Sequence, residues 1–346
     1  MNKGGRVAAA GRRTGRRVGR ILAALLSGLV ALLVAGLSYQ AIAAEVDGRR
    51  YRPPGELVDV GAYRMHLDVA GREKGGPTVI LDAGSQSAAF QWGWVQPEVA
   101  KDTRVVSYDR PGAGWSDPPP DPLDAHEFAG DLREALDLVG ADGPYVIVGH
   151  SMGSLTARAF AARYPDDVVG AVLVDPRNLS LHEDFPDDFP EARVSAEPPF
   201  PVRLQALAAR LGIVRGLDPL GAYAALLPAR QEAEGRAYVA SQKPYDGLWA
   251  DVHLGESAAQ TLRDGEHLDD KPLVVLSASE PDAMNFPPED RRGFTAMHAR
   301  MAQEISSKGE HRVVRGADHL SIVVERGHAG VVADAIRQII QGAKAG

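Results

Sequence analysis

The 346-residue chain contains no cysteine, which excludes disulfides, thiolate metal sites and a cysteine nucleophile. A cysteine-free chain is compatible with every cellular compartment, so this absence does not locate the protein. The sequence also lacks internal repeats and a glycine-rich phosphate-binding fingerprint. Its net charge of −8 argues against nucleic acid as a partner.

Charge is distributed unevenly near the N-terminus. Residues 1–20 carry seven basic side chains and no acidic one, and residues 21–44 carry no charge at all. A helix over those 24 residues would span about 36 Å, enough to cross a hydrocarbon core of about 30 Å. Because basic flanks stay in the cytoplasm, we expect a basic leader over 1–20, a membrane anchor over 21–44, and the rest of the chain outside.

A second interpretation of the same segment is a removable export signal. Ala41-Ile42-Ala43 fits a small-x-small cleavage site, and cleavage there would release an exported protein. The uncharged stretch is, however, longer than the roughly 7–15 apolar residues usual in signal peptides. The anchor is therefore the favoured interpretation, and the cleaved signal stays open.

The remaining chain is predicted to form a linker and one folded domain. Residues 45–55 are charged and include Pro53-Pro54, which predicts a short stiff linker before a domain over 56–346. In that domain apolar strands alternate with helices, which indicates an α/β fold with right-handed βαβ units and a mostly parallel sheet. The predicted strands are 57–60, 65–69, 78–82, 104–108, 144–149, 168–175, 272–276 and 311–314, and the predicted helices are 97–101, 125–139, 154–163, 288–305 and 331–343.

Residues 176–271 interrupt this alternation. They are rich in Pro, Asp, Glu and Ala, with helical stretches at 202–211 and 222–236 and no clear strand. An insertion that leaves the strand pattern intact on both sides is typical of a lid over an active site. We therefore expect a largely helical cap at about 177–268.

The pentapeptide Gly149-His-Ser-Met-Gly153 lies between a predicted strand and a predicted helix. A sharp strand-to-helix turn strains its central residue and leaves no room for bulk on either side, which explains a glycine at each end. The turn would expose the hydroxyl of Ser151 at the sheet edge, facing the positive end of the following helix. This context predicts that Ser151 is a nucleophile.

From about Gly55 to the C-terminus, the chain resembles an α/β-hydrolase. The similarity is strongest in three segments: Val79-Leu-Asp-Ala-Gly84, Tyr108-Asp-Arg-Pro-Gly-Ala-Gly-Trp-Ser116 and Val146-Val-Gly-His-Ser-Met-Gly153. The resemblance implies an α/β-hydrolase fold with a cap, and a catalytic triad in the chain order serine, acid, histidine.

By that resemblance, the base follows the last strand, where His319 is the histidine so placed. The acid has three candidates. Glu280 occupies the usual position after the penultimate strand, although the chain has Ser277 and Glu280 where the family pattern has glycine and aspartate. Asp175 ends the strand before it, as the acid does in some family members, and Asp282 is a third possibility.

The resemblance also implies an oxyanion hole made of backbone N–H groups. Met152, the residue after the nucleophile, would donate one, and Ser85 would donate the other by its position after strand 78–82. Many family members have His-Gly in that loop, where this chain has Ala83-Gly84. Because backbone amides perform this role, the change from histidine need not abolish it.

These features together predict a serine hydrolase of a small-molecule acyl substrate, most simply a carboxylic ester, with no cofactor and no metal. A serine at the turn disfavours the dehalogenase and epoxide-hydrolase chemistry that uses an aspartate nucleophile in this fold. Aminopeptidase, amidase, perhydrolase and acyltransferase activities remain alternatives, because fold and triad do not select a substrate. A protein of the cell envelope that binds a ligand without catalysis is the alternative from another class.

Overall fold

A mostly parallel eight-stranded sheet forms the centre of the computed structural model, which describes residues 4–72, 76–177, 200–263, 268–281 and 288–345. The strand order is β1-β2-β4-β3-β5-β6-β7-β8. Strands β1 and β2 pair with each other and β2 pairs with β4 in antiparallel fashion, and all later pairs are parallel. The strands are β1 Glu56–Asp59, β2 Arg64–Ala70, β3 Thr78–Asp82, β4 Val105–Asp109, β5 Tyr145–His150, β6 Val168–Val174, β7 Leu273–Ala278 and β8 Gly309–Val314.

Helices lie on both faces of this sheet, so its central strands are apolar on both sides. In β5, Tyr145 and Ile147 pack on one hydrophobic cluster, and Val146 and Val148 pack on the other. This alternation follows from the two-residue period of a strand. The sheet helices are α2 Val95–Val99, α3 Ala125–Leu138, α4 Gly153–Arg163, α10 Pro288–Ile305, α11 Ser321–Val324 and α12 Arg326–Ala345.

The N-terminal helix α1 spans Gly4–Arg50 without interruption. The predicted linker over 45–55 is therefore wrong in its first six residues, because the helix continues past the uncharged stretch. Charged residues do not end a helix by themselves, and the pair Pro53-Pro54 cannot continue one. Only Tyr51–Gly55 separates α1 from β1.

The described part of the cap, residues 200–263, contains five helices joined by short turns. Its helices are α5 Phe200–Arg210, α6 Ile213–Leu217, α7 Gly221–Ala224, α8 Ala229–Val239 and α9 Lys243–Arg263. The single helix predicted over 222–236 is wrong, since Pro228 separates α7 from α8. The 21-residue α9 was missed by the sequence interpretation, and its two interior glycines explain why its helical signal is weak.

Helix α4 approaches strand β3 so closely that Gly153 admits no side chain. A Cβ atom there would overlap the backbone carbonyls of Asp82 and Ala83. This close approach holds the start of α4 against the end of β3, where the loop that carries Ser151 and the loop after β3 meet.

We therefore expect Gly153→Ala to lower the free energy of unfolding by several kcal/mol, because the backbone it would strike cannot move aside. Gly330→Ala is the matched control, since its Cβ would meet nothing within 4 Å and alanine favours a helix by about 1 kcal/mol. Urea unfolding measures both. Equal stability of the two variants would contradict the close approach of α4 to β3.

Candidate active site

The turn at Ser151 has the strained geometry that the sequence predicted. Ser151 has a φ of 51°, in the left-handed region that side chains rarely adopt. Its N–H donates to Val174 O at 3.1 Å, which ties the turn to the neighbouring strand β6. A side chain at Gly149 would strike the backbone of Gly153 and Ser154, so glycine is required at both ends of the turn.

His319 lies in the loop between β8 and α11 and faces Ser151. Its Nε2 atom is 2.9 Å from Ser151 Oγ. The loop is shaped by Asp318, whose Oδ1 accepts the N–H groups of Leu320 and Ser321 at 3.0 and 2.8 Å. These two hydrogen bonds from Asp318 hold the loop that carries the histidine.

The carboxylate that reaches His319 is that of Asp175. Its Oδ2 atom is 2.6 Å from His319 Nδ1. Asp175 follows strand β6 with a φ of 42°, and its N–H donates to Leu276 O at 2.7 Å. The structure therefore brings Ser151, His319 and Asp175 into one hydrogen-bonded chain.

Glu280, the first candidate by sequence position, is not part of this chain. Its side chain is exposed and accepts a hydrogen bond from Ser279 Oγ at 2.9 Å, beyond the end of β7 at Ala278. The preference for Glu280 over Asp175 is thus not supported by the geometry. Asp282, the third candidate, lies outside the described residues.

Asp175 is held by more than the histidine. Its Oδ1 atom accepts the Ala278 N–H at 3.0 Å and pairs with the buried guanidinium of Arg291. Burial alone would raise the pKa of this carboxyl, but the hydrogen bond from His319 and the charge of Arg291 outweigh it and hold the pKa well below its usual range. Asp175 therefore stays ionised at any ordinary working pH.

His150 forms a hydrogen bond with the backbone of His319. Its Nε2 is 2.9 Å from the carbonyl oxygen of His319, and its Nδ1 is 3.5 Å from Gln91 Nε2. Burial, reinforced by His319, lowers the pKa of His150 to about 3. The ring is therefore neutral, with its Nε2–H donating to the His319 backbone.

Arg110 organises the loop after β3. This buried guanidinium donates to the carbonyls of Ala83 and Gly84 and to Asp82 Oδ1, the last at 2.6 Å. It also donates from Nε to Asp251 of cap helix α9 at 2.8 Å. One cation thus connects the sheet, the loop and the cap.

The two N–H groups predicted for the oxyanion hole lie beside the nucleophile. Arg110 donates a hydrogen bond to the carbonyl oxygen of Gly84. In a trans peptide the N–H points opposite to the carbonyl, so the Ser85 N–H of the same peptide points away from the arginine. Neither Ser85 N–H nor Met152 N–H has an acceptor within the described part of the chain. A side chain on Gly84 would come within 3.6 Å of Ser151 Cβ, which shows how closely this loop approaches.

A largely apolar cavity of about 460 Å³ opens above Ser151. Core and cap both contribute to its wall. The apolar lining residues include Phe90, Leu220, Tyr223, Leu227, Val239, Phe294 and Val323. No cluster of three metal-ligating side chains occurs among residues that the structure describes.

Four residues of the site were not predicted from the sequence: Arg110, Gln91, Asp251 and Arg291. Arg110 lies in the segment 108–116 that carries part of the family resemblance, and its charge within an otherwise uncharged Pro-Gly turn was a usable signal. Arg291 and Asp251 lie on helices with other charged residues nearby, so nothing in the sequence distinguishes them from surface residues.

Comparison with known proteins agrees with this architecture. Residues 76–322 match the family described as the alpha/beta hydrolase fold, and the chain belongs to that family.

Among curated relatives, the chain is 34% identical over 121 residues to the 2-(acetamidomethylene)succinate hydrolase of Mesorhizobium japonicum, covering 34% of this chain and 41% of that protein. The chain spans less than half the length of the curated relatives it matches.

Two solved structures show the same fold. An esterase from Thermogutta terrifontis has a TM-score of 0.53 and 21% identity, covering 81% of this chain and 94% of that one. An enol-lactonase from Burkholderia xenovorans has a TM-score of 0.58 and 19% identity, covering 83% and 100%. At these identities the likeness shows the fold alone.

The neutral His150 makes stability depend on pH in a defined direction. An unfolded chain protonates this histidine near pH 6.5, whereas the folded chain does so only near pH 3. Acidification from pH 7 to 5 therefore favours the unfolded state, with a slope of up to about 1.4 kcal/mol per pH unit for one proton.

We expect the urea midpoint to fall between pH 7 and pH 5, and to fall less in His150→Gln, whose amide can still donate to the His319 carbonyl. His126→Gln, at an exposed position on α3, is the control and should keep the wild-type slope. An unchanged slope in His150→Gln would show that this histidine is protonated in the folded protein.

Proposed function

We propose that the protein is a serine hydrolase that cleaves an acyl substrate, most simply a carboxylic ester, through an acyl-enzyme. The observation that carries the proposal is the 2.9 Å contact between Ser151 Oγ and His319 Nε2, with Asp175 on the far side of the ring. A nucleophile, its base and an orienting carboxylate in this order are the arrangement that acyl transfer requires.

Proton positions in the triad follow from its contacts. The ionised Asp175 accepts the Nδ1–H of His319, which leaves Nε2 as an acceptor for the Ser151 proton. The hydroxyl then attacks the substrate carbonyl, and the imidazolium that forms is stabilised by Asp175. It returns the proton to the leaving group, and a water molecule releases the acyl group by the same steps.

The negative oxygen formed during attack needs donors that are already in place. The Ser85 and Met152 N–H groups are free to serve, and Arg110 fixes the peptide that carries the first of them. Preorganised donors stabilise such an oxygen without having to move during the reaction. The apolar cavity supports an acyl group with a hydrocarbon part, and no step needs a cofactor.

Helix α1 suggests on which side of a membrane this reaction takes place. Val18–Arg50 is the one stretch, in the part of the chain that the structure describes, that is long and apolar enough to span a membrane. We propose that it is retained as an anchor, with the hydrolase domain outside the cytoplasm. Its contacts support retention, since Gln40 Nε2 donates to Ala240 O of the cap at 2.7 Å.

The triad is tested by covalent labelling and by kinetics. A fluorophosphonate should label the wild-type protein, while Ser151→Ala should lose both the label and turnover of p-nitrophenyl acetate. We expect His319→Ala to lower kcat by roughly a thousandfold or more, because the triad acts as a unit. Ser307→Ala, at an exposed serine far along the chain, should behave as wild type.

The same assay identifies the acid. Asp175→Asn should lower kcat by about 10⁴, because the amide favours the wrong histidine tautomer, whereas the matched Glu280→Gln should keep near-native turnover. The reverse ranking would overturn the assignment of Asp175. Labelling without turnover of any ester would instead point to an amide substrate or another acyl acceptor.

Location is tested on the full chain in cells. An anchored protein should stay in the membrane pellet after carbonate extraction at its full length. Because the chain has no cysteine, Leu138→Cys at an exposed position of α3 adds a single thiol, which a membrane-impermeant maleimide should label in intact cells. A soluble form that begins near Ala44 would mean a cleaved signal, and full-length protein in the cytosol would contradict both.

A further inference from the structure

The exposed apolar side chains of the folded domain are concentrated on two cap helices. Ten large hydrophobic residues beyond Arg50 are exposed in the described part of the chain, and five of them fall in the 18 residues 200–217. They are Phe200, Leu204, Leu207, Ile213 and Leu217. We call the surface formed by these five side chains the cap face.

Helical geometry aligns these residues. Phe200, Leu204 and Leu207 are spaced by four and three residues along α5, and Ile213 and Leu217 are spaced by four along α6. Side chains at these spacings lie on one side of a helix. The two helices contact each other, and exposed apolar side chains concentrated in this way mark an interaction site.

The charge of the segment restricts what can bind there. Residues 200–217 contain Arg203, Arg210 and Arg215 and no acidic residue, although the whole chain has a net charge of −8. Arg210 lies 3.7 Å from Asp246 and Arg215 lies 2.7 Å from Asp47, so two of the three arginines have carboxylate partners on other helices. Apolar side chains next to arginines on the same helix are typical of helices that lie in the interface of a membrane.

Helix α1 passes directly beside the cap face. Gly36 is packed against the Leu211 carbonyl, because a Cβ there would approach it to 2.8 Å, and the ring of Tyr39 covers Gly212. Arg215 also contacts α1 at two residues that lie about two turns apart. It donates to Gln40 Oε1 at 3.1 Å and to Asp47 at 2.7 Å.

These contacts fix the depth of the cap face. Gly36 lies eight residues, or about 12 Å, before Ala44, the last residue of the uncharged stretch. A stretch of about 36 Å centred in a core of about 30 Å leaves about 3 Å at each end, so Gly36 sits about 9 Å inside the hydrocarbon boundary. Interfacial helices bury their apolar faces by about 5–10 Å, which matches this depth.

The cavity above Ser151 begins where the cap face ends. Asp218 and Leu220, one and three residues after Leu217, line that cavity, as do Tyr223 and Ala224 of α7. A molecule dissolved among the acyl chains beside α6 is therefore next to the wall of the site.

We propose that the cap face is inserted into the lipid bilayer beside α1, and that the site draws a lipophilic acyl substrate from the membrane. The proposal rests on α1 being a retained anchor, as proposed above. The occupant of the cap face is the acyl-chain region of the outer leaflet, and the substrate class is an ester with a long hydrocarbon chain.

The test uses single spin labels on the full chain, which has no native cysteine to interfere. Leu207→Cys and Leu217→Cys carry a nitroxide in the cap face, and Leu138→Cys, at an exposed leucine of α3, is the matched control outside it. Leu29→Cys in α1 reports on the anchor itself. The protein is reconstituted in vesicles of phosphatidylcholine and phosphatidylglycerol, and relaxation by oxygen is compared with relaxation by a water-soluble nickel chelate.

We expect oxygen to relax the labels at 207, 217 and 29 more than nickel does, and nickel to prevail at 138. Nickel accessibility at 207 and 217 with oxygen prevailing at 29 would overturn the cap-face proposal alone. Nickel accessibility at 29 would overturn the anchor and the cap-face proposal together. Protection of 207 and 217 from both reagents would show a protein contact, such as a second copy, and would also overturn it.

Activity provides an independent measurement. The double variant Leu207→Gln and Leu217→Gln should lose turnover of p-nitrophenyl palmitate dissolved in the same vesicles by several-fold, and should hydrolyse water-soluble p-nitrophenyl acetate at the wild-type rate. Equal effects on the two esters would contradict access from the membrane. If the wild-type protein hydrolysed neither ester, that result would contradict the hydrolase proposal.

Discussion

The carboxylate of Asp175 is the point on which the arrangement of the site depends. One oxygen faces His319, and the other is shared between the Ala278 N–H and the guanidinium of Arg291. A buried carboxylate without such partners would take up a proton rather than hold a charge. The hydrogen bond from His319 and the charge of Arg291 hold the pKa of Asp175 low, so the carboxylate keeps the charge that faces the histidine. Removing either partner would disturb the histidine although neither touches it.

Much of this architecture could be predicted from the sequence because it depends on residues that are close together in the chain. The alternation of apolar strands and helices identified the parallel sheet, and glycines at 149 and 153 marked a turn that only small residues permit. The sheet and the turn need only a few neighbouring residues and a known backbone geometry. His319 was implied by the resemblance to α/β-hydrolases, which place the base just beyond the last strand.

The acid and its supports could not be found in this way. Glu280 and Asp175 each follow a parallel strand, and both loops open at the same edge of the sheet. The choice between them depends on the left-handed backbone at Asp175 and on Arg291, which lies 116 residues further along the chain. The break of the cap helix at Pro228 is local, but the extent of α9 depends on its packing against α4, a tertiary contact.

Arg110 limits how freely the cap of this protein could be exchanged for another. Here the cap supplies Asp251, one of two carboxylates that surround the buried guanidinium, and the same carboxylate accepts from Ser85 Oγ at 3.2 Å. A transplanted cap without an acidic side chain at that point would leave Arg110 underneutralised in the interior and loosen the loop that carries the Ser85 amide. A modular exchange therefore has to conserve this one acidic residue, whatever else it changes.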